Sequence, residues 1–151
     1  MLIALFVLVV LASVIGPSRN GEANVVARDL MTPREVEFWR VLRHAAGPLH
    51  VAPQVAMNAL LNAAPGMDRR RSLTTRNRFD RKVVDFALVD DWGGVRLLVE
   101  LDDRTHVADR DAKRDRMTAR AGYTTLRVSG REARDAGLLT VAIAEKLGLP
   151  A

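Results

Sequence analysis

The chain has 151 residues, which is enough for one compact domain with a hydrophobic core. It contains no cysteine, and this excludes disulfides, thiolate metal sites and cysteine nucleophiles. The formal net charge of +5 and the pI of about 10.6 favour an anionic partner, either nucleic acid or an acidic membrane surface, although an arginine-rich composition by itself gives the same balance.

The chain begins with an almost wholly apolar run, MLIALFVLVVLASVIG (1–16). As a helix this run would be about 24 Å long, which is short for a hydrocarbon core of about 30 Å but within reach of bilayer thinning. A cleaved signal peptide is the alternative, but no Lys or Arg precedes the run and no clean small-x-small site follows it. We therefore predict an uncleaved, single-pass transmembrane anchor.

Basic residues follow the anchor at Arg19, Arg28 and Arg34. By the positive-inside tendency they predict an inner (cytoplasmic) membrane protein with its C-terminal domain in the cytoplasm. Residues 17–31 open with Pro17 and show no sustained period, which is typical of a linker. The folded domain is therefore expected to comprise residues 32–151.

A first helix is predicted from the segment TPREVEFWRVLRHAAG. Thr32 suits the N-cap and Pro33 the first helical position, and Glu35, three residues after the cap, completes a capping box. The apolar stripe of this helix is expected to consist of Val36, Trp39 and Leu42.

The next part of the chain changes from apolar to basic. Residues 49–61 are expected to begin as a strand and end as a short helix. The segment MDRRRSLTTRNRFDRK (67–82) has little apolar content and is predicted to be a solvated loop, of interest only beside an anion site. Its basic residues are Arg69, Arg70, Arg71, Arg76, Arg78, Arg81 and Lys82.

Two β-rich runs, KVVDFALVD (82–90) and VRLLVELDD (95–103), are joined by DWGG, which is a hairpin signal. A charged helix over 108–122, a strand over 123–128 and a closing amphipathic helix over 131–147 complete the chain. The predicted order α, β, β, β, α, β, α indicates an α/β fold of the α+β sandwich type.

Acidic residues gather at the end of this hairpin. Side chains alternate across a strand, so Glu100 and Asp102 share one face. Asp85 is the single acid inside the preceding apolar strand, where burial is costly unless the carboxylate is paired or binds a cation. A turn centred between Trp92 and Gly93 would set Asp85 opposite Glu100, with Cβ atoms about 4.5–5.5 Å apart, whereas a one-residue slip would place it on the other face.

Three carboxylates would then converge at Asp85, Glu100 and Asp102. Such a cluster suits a hard divalent cation, Mg²⁺ (or Mn²⁺), which takes oxygen ligands. The ion would polarise a phosphodiester and lower the pKa of a bound water, and the basic run 69–82 would approach the backbone phosphates. The alternative is that these acids are ordinary solvated charges at the end of a strand.

Four segments of the chain together resemble a known family. They are TPREVEFWRVL, KVVDFALVD, LLVELDDRTH and RDRMTARAGYTTLRV, and they resemble the domain of unknown function 2726 family (DUF2726) over roughly residues 31–130. That family is similar to the restriction-endonuclease-like PD-(D/E)XK superfamily, near the very-short-patch-repair-type nucleases. The resemblance implies a restriction-endonuclease-like αβββαβ core and metal-dependent hydrolysis of nucleic acid. DNA is the expected substrate, and RNA is the alternative.

The resemblance also implies roles for individual residues. Asp85 matches the strand aspartate of the superfamily and Glu100 its D/E position, whereas Asp102 stands where the superfamily usually has a lysine. His106 and Lys113 are candidates to assist proton movement in place of that lysine.

Four further charged residues have an expected role at or near the site. Glu35 matches an acid of the family's first helix that joins the site in some relatives, with the capping box as the alternative. Arg127 is expected to reach the acidic cluster as a structural counter-charge. Asp115 is most simply a surface charge, although it or Arg114 is placed to steady the site.

The leading hypothesis is a membrane-anchored, metal-dependent nuclease whose partner is nucleic acid, DNA before RNA. The alternative is a non-catalytic module of the same fold that binds nucleic acid or another partner at the membrane, and the absent lysine and the membrane tether favour it. A third hypothesis is a periplasmic domain released by cleavage of a signal peptide.

Overall fold

The computed structural model describes residues 25–102 and 115–149. Its helices are α1 (Pro33–Ala45), α2 (Met57–Leu60), α3 (Arg69–Arg76) and α4 (Ala136–Leu147), and residues 115–120 are also helical. Its strands are β1 (His50–Ala56), β2 (Val83–Val89), β3 (Val95–Leu101) and β4 (Thr125–Val128). A short 3-10 turn, Glu132–Arg134, precedes α4.

The strands form one mixed sheet in the order β1-β2-β3-β4. The pairs β1–β2 and β2–β3 are antiparallel, whereas β3 and β4 are parallel, with the helical segment 115–120 between them in sequence. The predicted mixed α/β class is therefore confirmed. Among the described residues no helix is long and apolar enough to cross a membrane, and the predicted anchor, residues 1–16, lies outside them.

The β2–β3 hairpin has the predicted register in its body and a different one at its tip. Phe86 pairs with Val99, as expected from the sequence. After Leu88 the register shifts, so that Val89 pairs with Val95, and the prediction of a turn centred between Trp92 and Gly93 is wrong. The slip is confined to the tip, and the acidic end of the hairpin keeps the predicted alignment.

A carboxylate organises this hairpin tip. Asp90 Oδ1 accepts hydrogen bonds from the backbone N–H groups of Trp92 at 3.1 Å and Gly94 at 2.7 Å. Gly93, with φ of 82°, adopts a conformation that side chains disfavour. The tip therefore closes with a side-chain-capped loop in place of a tight two-residue turn.

The first helix starts as predicted but buries a different stripe. Thr32 Oγ1 accepts from Glu35 N–H at 3.3 Å, and Thr32 N–H donates to Glu35 Oε2 at 2.6 Å, which confirms the capping box. The buried residues of α1 are Phe38, Leu42 and Ala45, whereas Val36 and Trp39 are only half-buried. The predicted stripe of Val36, Trp39 and Leu42 is therefore right for Leu42 and in part for Trp39, which packs against the core, and it omits Phe38 and Ala45.

The main core lies between the sheet and the helices α1 and α4. Phe38 packs edge-to-face on Phe86, with ring centroids 5.4 Å apart and an interplanar angle of 69°. Leu139 and Ile143 of α4 are buried in the same cluster. Its sheet residues are Phe86, Leu88, Leu97, Val99, Leu101, Leu126 and Val128.

A second, smaller core covers the opposite face of the sheet, where Ala87 and Leu98 are buried. Met57 of α2 and Phe79 are buried in this cluster, and Met117 of the helical segment 115–120 packs against it. We call this side the carboxylate face, because the two acids described below lie on it.

The basic run contains a helix that the sequence did not predict. Asp68 caps α3 by accepting from the Arg71 N–H at 2.9 Å, and the helix continues to Arg76. The prediction of a loop throughout 67–82 was therefore wrong. The physical reason is that Asp68 is a good N-cap and arginine a good helix former, whereas the segment lacks the apolar period on which a sequence prediction depends.

Two aromatic residues of the hairpin test this packing. Phe86→Ala should lower the free energy of unfolding by about 3–5 kcal/mol, because it empties a site that is 0% exposed. Trp92→Ala, at a side chain that is 91% exposed, should change it by less than about 0.5 kcal/mol. Urea unfolding followed by circular dichroism measures both, and equal losses would contradict the described core.

Candidate carboxylate site

Asp85 and Glu100 lie on neighbouring strands and on the same face of the sheet. Phe86 pairs with Val99, so the next position along the hairpin sets Asp85 beside Glu100, at a Cβ separation of about 4.5–5.5 Å for such neighbours. Alternation places Asp85 on the same side as Ala87 and Glu100 on the same side as Leu98, both of which are buried on the carboxylate face.

The two acids differ in their surroundings. Glu100 is only 4% exposed. Asp85 is half-buried, and its Oδ2 accepts a hydrogen bond of 2.9 Å from the Leu101 N–H. The backbone pairing of β2 with β3 ends at Phe86, so the Asp85 carboxylate takes over a backbone donor of β3 and fixes its own position against that strand.

Arg127 is the counter-charge of this end of the sheet. It pairs with Glu100 in the register of β3 and β4, and its Nη1 donates to Asp102 Oδ1 at 2.6 Å. Its Nε and Nη2 donate to the two oxygens of Asp115 at 3.1 and 3.0 Å. These hydrogen bonds, to Asp115 first and then to Asp102, raise the pKa of Arg127 above its ordinary value against the opposing effect of burial. Arg127 therefore reaches the acidic residues as predicted, and its role as a structural counter-charge stays a prediction.

Asp102, which directly follows β3, is bound on several sides. Its carboxylate accepts from Arg127, its carbonyl accepts from Arg34 Nη2 at 2.7 Å, and its N–H donates to the Val128 carbonyl at 2.9 Å. These contacts join the end of β3 to α1 and β4. A role for Asp102 as a metal ligand stays a prediction.

Glu35 is hydrogen-bonded to Gln54, the residue that lies opposite Asp85 in β1. Besides closing the capping box, Glu35 accepts from Gln54 Nε2 through Oε1 at 3.1 Å. Gln54 lies opposite Asp85 in β1, between the pairs Pro53–Phe86 and Val55–Val84, and it has a positive φ of 53°. A left-handed residue that is not glycine costs about 1–3 kcal/mol, and such residues concentrate at functional sites.

Gln54 is the site residue that sequence reasoning missed. Nothing in a lone glutamine indicates a left-handed backbone, since glutamine has no preference for it. The available signal was Pro53, because proline inside a strand marks an edge or an irregularity. β1 is an edge strand, and its irregularity lies one residue after the proline.

The remaining predicted residues are His106 and Lys113, which lie outside the described residues. Within residues 25–102 and 115–149, no three acidic or histidine side chains lie close enough together to hold a metal ion. The predicted convergence of three carboxylates is therefore not seen in that part of the chain, and Asp102 is engaged with Arg127 instead.

The two carboxylates that do lie together still fit a Mg²⁺ ion by their chemistry. Mg²⁺ is commonly bound by one or two carboxylates, with water and substrate phosphate oxygens filling the other positions. Asp85 supplies a half-buried carboxylate, and Glu100 supplies a second, buried carboxylate beside it. The donor set is thus of the right kind and number for a shared ion.

Comparison with known proteins gives one match. The sequence model of the family described as "Protein of unknown function (DUF2726)" matches residues 27–147, which is most of the chain. No curated protein and no solved structure is significantly similar to the chain.

The Arg127 hydrogen bonds predict a stability effect. Arg127→Met should lower the free energy of unfolding by about 1–2 kcal/mol, because Asp102 and Asp115 lose a shared partner while partly buried, and partial exposure keeps the loss modest. Arg120→Met, at an exposed position of the helical segment 115–120, is the control and should cost less than about 0.5 kcal/mol. Chemical unfolding compares the two, and a cost for Arg127→Met no larger than the control would show that the pairs contribute nothing.

Proposed function

The chain belongs to the DUF2726 family, and from that premise we propose that it is a membrane-anchored, Mg²⁺-dependent nuclease that hydrolyses DNA phosphodiesters. A place for the family within the restriction-endonuclease-like superfamily is part of the proposal. The observation that carries it is the side-by-side placement of Asp85 and Glu100 on adjacent strands of one sheet. Helices on the opposite face of the sheet hold the register of those strands.

The metal would be held by Asp85 and Glu100. When bound, Mg²⁺ supplies a Lewis acid that polarises the phosphoryl oxygen and lowers the pKa of a coordinated water. Asp85 is positioned for this role by the Leu101 N–H, and Glu100 by its place inside the strand, so both carboxylates are ordered before any ligand arrives. Gln54 and Glu35 act as positioning residues on the β1 side of Asp85.

Because position 102 is an aspartate, the positive charge near the carboxylates comes from a different residue. A lysine at this position would bring an ammonium group next to the carboxylates, whereas Asp102 brings a third negative charge. Arg127, from the neighbouring strand β4, compensates this charge and stands beside Glu100 in register. A guanidinium stays protonated, so Arg127 stabilises negative charge near the carboxylates but cannot accept a proton from water. His106 and Lys113 remain the predicted groups for proton movement.

The second candidate is a non-catalytic module of the same fold that binds nucleic acid or another partner at the membrane. The observation that favours it is the engagement of Asp102 by Arg127, because this ion pair occupies the position from which the superfamily's lysine would serve the reaction. In this alternative, the Asp85–Glu100 pair would be a structural or binding feature without hydrolysis.

Matched carboxylate variants distinguish the two candidates. Asp85→Asn and Glu100→Gln should each lower Mg²⁺- or Mn²⁺-dependent nicking of supercoiled plasmid by at least about 100-fold, because each removes a metal ligand. Asp80→Asn and Glu145→Gln remove a charge at exposed positions and should leave the nicking rate unchanged.

Each outcome of this experiment has one meaning. Nicking that survives both site variants would come from a contaminating nuclease. DNA binding by the unaltered chain without cleavage under either metal would support the non-catalytic module. Circular dichroism of each variant separates loss of a ligand from loss of the fold.

The proposed anchor has a separate test. Because residues 1–16 are apolar and uncharged apart from the amino terminus, the full chain should sediment with membranes and resist extraction by high salt. A reporter fused to its N-terminus should remain joined to the domain. Recovery of a shortened chain in the soluble fraction would instead support a cleaved signal peptide.

A further inference from the structure

Two concave basic surfaces adjoin each other on the molecule. One is lined by Arg70, Arg71 and Arg78, from α3 and the segment that follows it. The other is lined by Arg78, Lys82, Arg116 and Arg120. Because Arg78 lines both, they form one continuous surface, which we call the basic groove. Its six cations are Arg70, Arg71, Arg78, Lys82, Arg116 and Arg120.

The described carboxylates leave the charge of the basic groove uncompensated. Within residues 25–102 and 115–149, the ion pairs join His50 to Asp91 and Arg127 to its two aspartates, and none of them includes a cation of the groove. Five of the six cations are exposed, and Lys82 is half-buried. Asp68, the acid that lines the groove, is occupied as the N-cap of α3.

The lack of buried residues in α3 and its adjacent arginines indicate that these charges bind a ligand. It buries no residue, although it has only 8 residues, and helices of this length are marginal without tertiary packing. Its sequence RRRSLTTR places three arginines next to one another, and their mutual repulsion further opposes folding. A polyanion in the groove would relieve this repulsion, so α3 is suited to bind one.

The basic groove begins beside the carboxylate site. Arg116 follows directly after Asp115, whose carboxylate is held by Arg127 in register with Glu100. Met117 packs on the carboxylate face against the cluster of Ala87 and Leu98. A phosphate chain lying along Arg120 and Arg116 would therefore run toward Asp115 and Arg127, the residue that pairs with Glu100 in register.

From these observations we propose that the basic groove binds the sugar-phosphate backbone of duplex DNA without regard to sequence. No aromatic side chain of the described residues lines the groove, so it has no platform for stacking unpaired bases. Its cations match phosphates, which carry no sequence information. The inference deepens the proposed function, on which it rests for DNA as the ligand.

An anionic membrane surface is the competing polyanion. A groove is concave, whereas a lipid surface favours a flat or convex patch with apolar side chains that insert between headgroups. The groove also shares the helical segment 115–120 with Asp115, which is joined through Arg127 to the carboxylate site, and a membrane would not use that site. Both observations favour nucleic acid, and vesicles of anionic lipid serve as one arm of the test.

The test compares two triple variants that remove the same charge from different surfaces. The groove variant combines Arg78→Gln, Arg116→Gln and Arg120→Gln, which removes three positive charges from the basic groove. Arg28→Gln, Arg40→Gln and Arg96→Gln remove three exposed arginines that do not line it. Fluorescence anisotropy of a labelled duplex is measured over a salt series with the full chain held in mild detergent.

The groove variant should weaken duplex binding strongly at low salt. It should also reduce the slope of log affinity against log salt by about 0.9 for each phosphate that is no longer neutralised, or about 2.7 in total. The control variant should change neither quantity by a comparable amount, and two unrelated duplex sequences should behave alike. Single strands of the same length should bind more weakly than the duplex.

Other outcomes overturn the inference. Equal affinities for the two triple variants would do so, as would tighter binding of single strands, or a groove variant that loses binding to anionic vesicles but not to duplex. Asp85→Asn separates this inference from the proposed function. If the unaltered chain binds duplex through the groove but does not cleave it, only the proposed hydrolysis is refuted. If plasmid nicking depends on Asp85 but the groove variant binds duplex as tightly as the unaltered chain, only the inference about the groove is refuted.

Discussion

The register between β2 and β3 is the constraint on which the rest of the structure depends. Phe86 is buried on the side of α1 and α4, and its edge-to-face contact with Phe38 opposes any slip of β2 along β3. Because neighbouring residues of a strand point to opposite faces, burial of Phe86 on one side commits Asp85 to the other, beside Glu100. The apolar core thus determines which carboxylates meet. The shift after Leu88 leaves this alignment intact, since it is confined to the hairpin tip.

The sheet is interrupted on both sides of Asp85. Toward β3 the backbone pairing ends and the Asp85 carboxylate accepts from Leu101, and toward β1 the opposite residue, Gln54, is left-handed. Such an arrangement costs free energy, which the surrounding contacts must offset. The hydrogen bond from Gln54 to Glu35 is one of these contacts, and it makes the first turn of α1 part of the support of the site.

Charge is distributed unevenly over the described surface. At the end of β3, one guanidinium, Arg127, serves two aspartates, so the negative charges there are partly compensated. In the basic groove, by contrast, arginines stand together without carboxylate partners among the described residues. Positive charge therefore gathers in the basic groove, where a polyanion could lie, and the helical segment 115–120 carries both Arg116 of the groove and Asp115, which binds Arg127.

The sequence by itself determined the elements whose signals are local. The capping box of Thr32 and Glu35, the alternation of β2 and β3, and therefore the pairing of Phe86 with Val99, follow from residues close together in the chain. Only the tertiary structure decided that Arg127 binds Asp102 and Asp115, that Gln54 turns left-handed opposite Asp85, and that Arg78 joins the two parts of the groove. These features depend on groups far apart in sequence, whose mutual distance is set by packing on both faces of the sheet and leaves no periodic pattern along the chain.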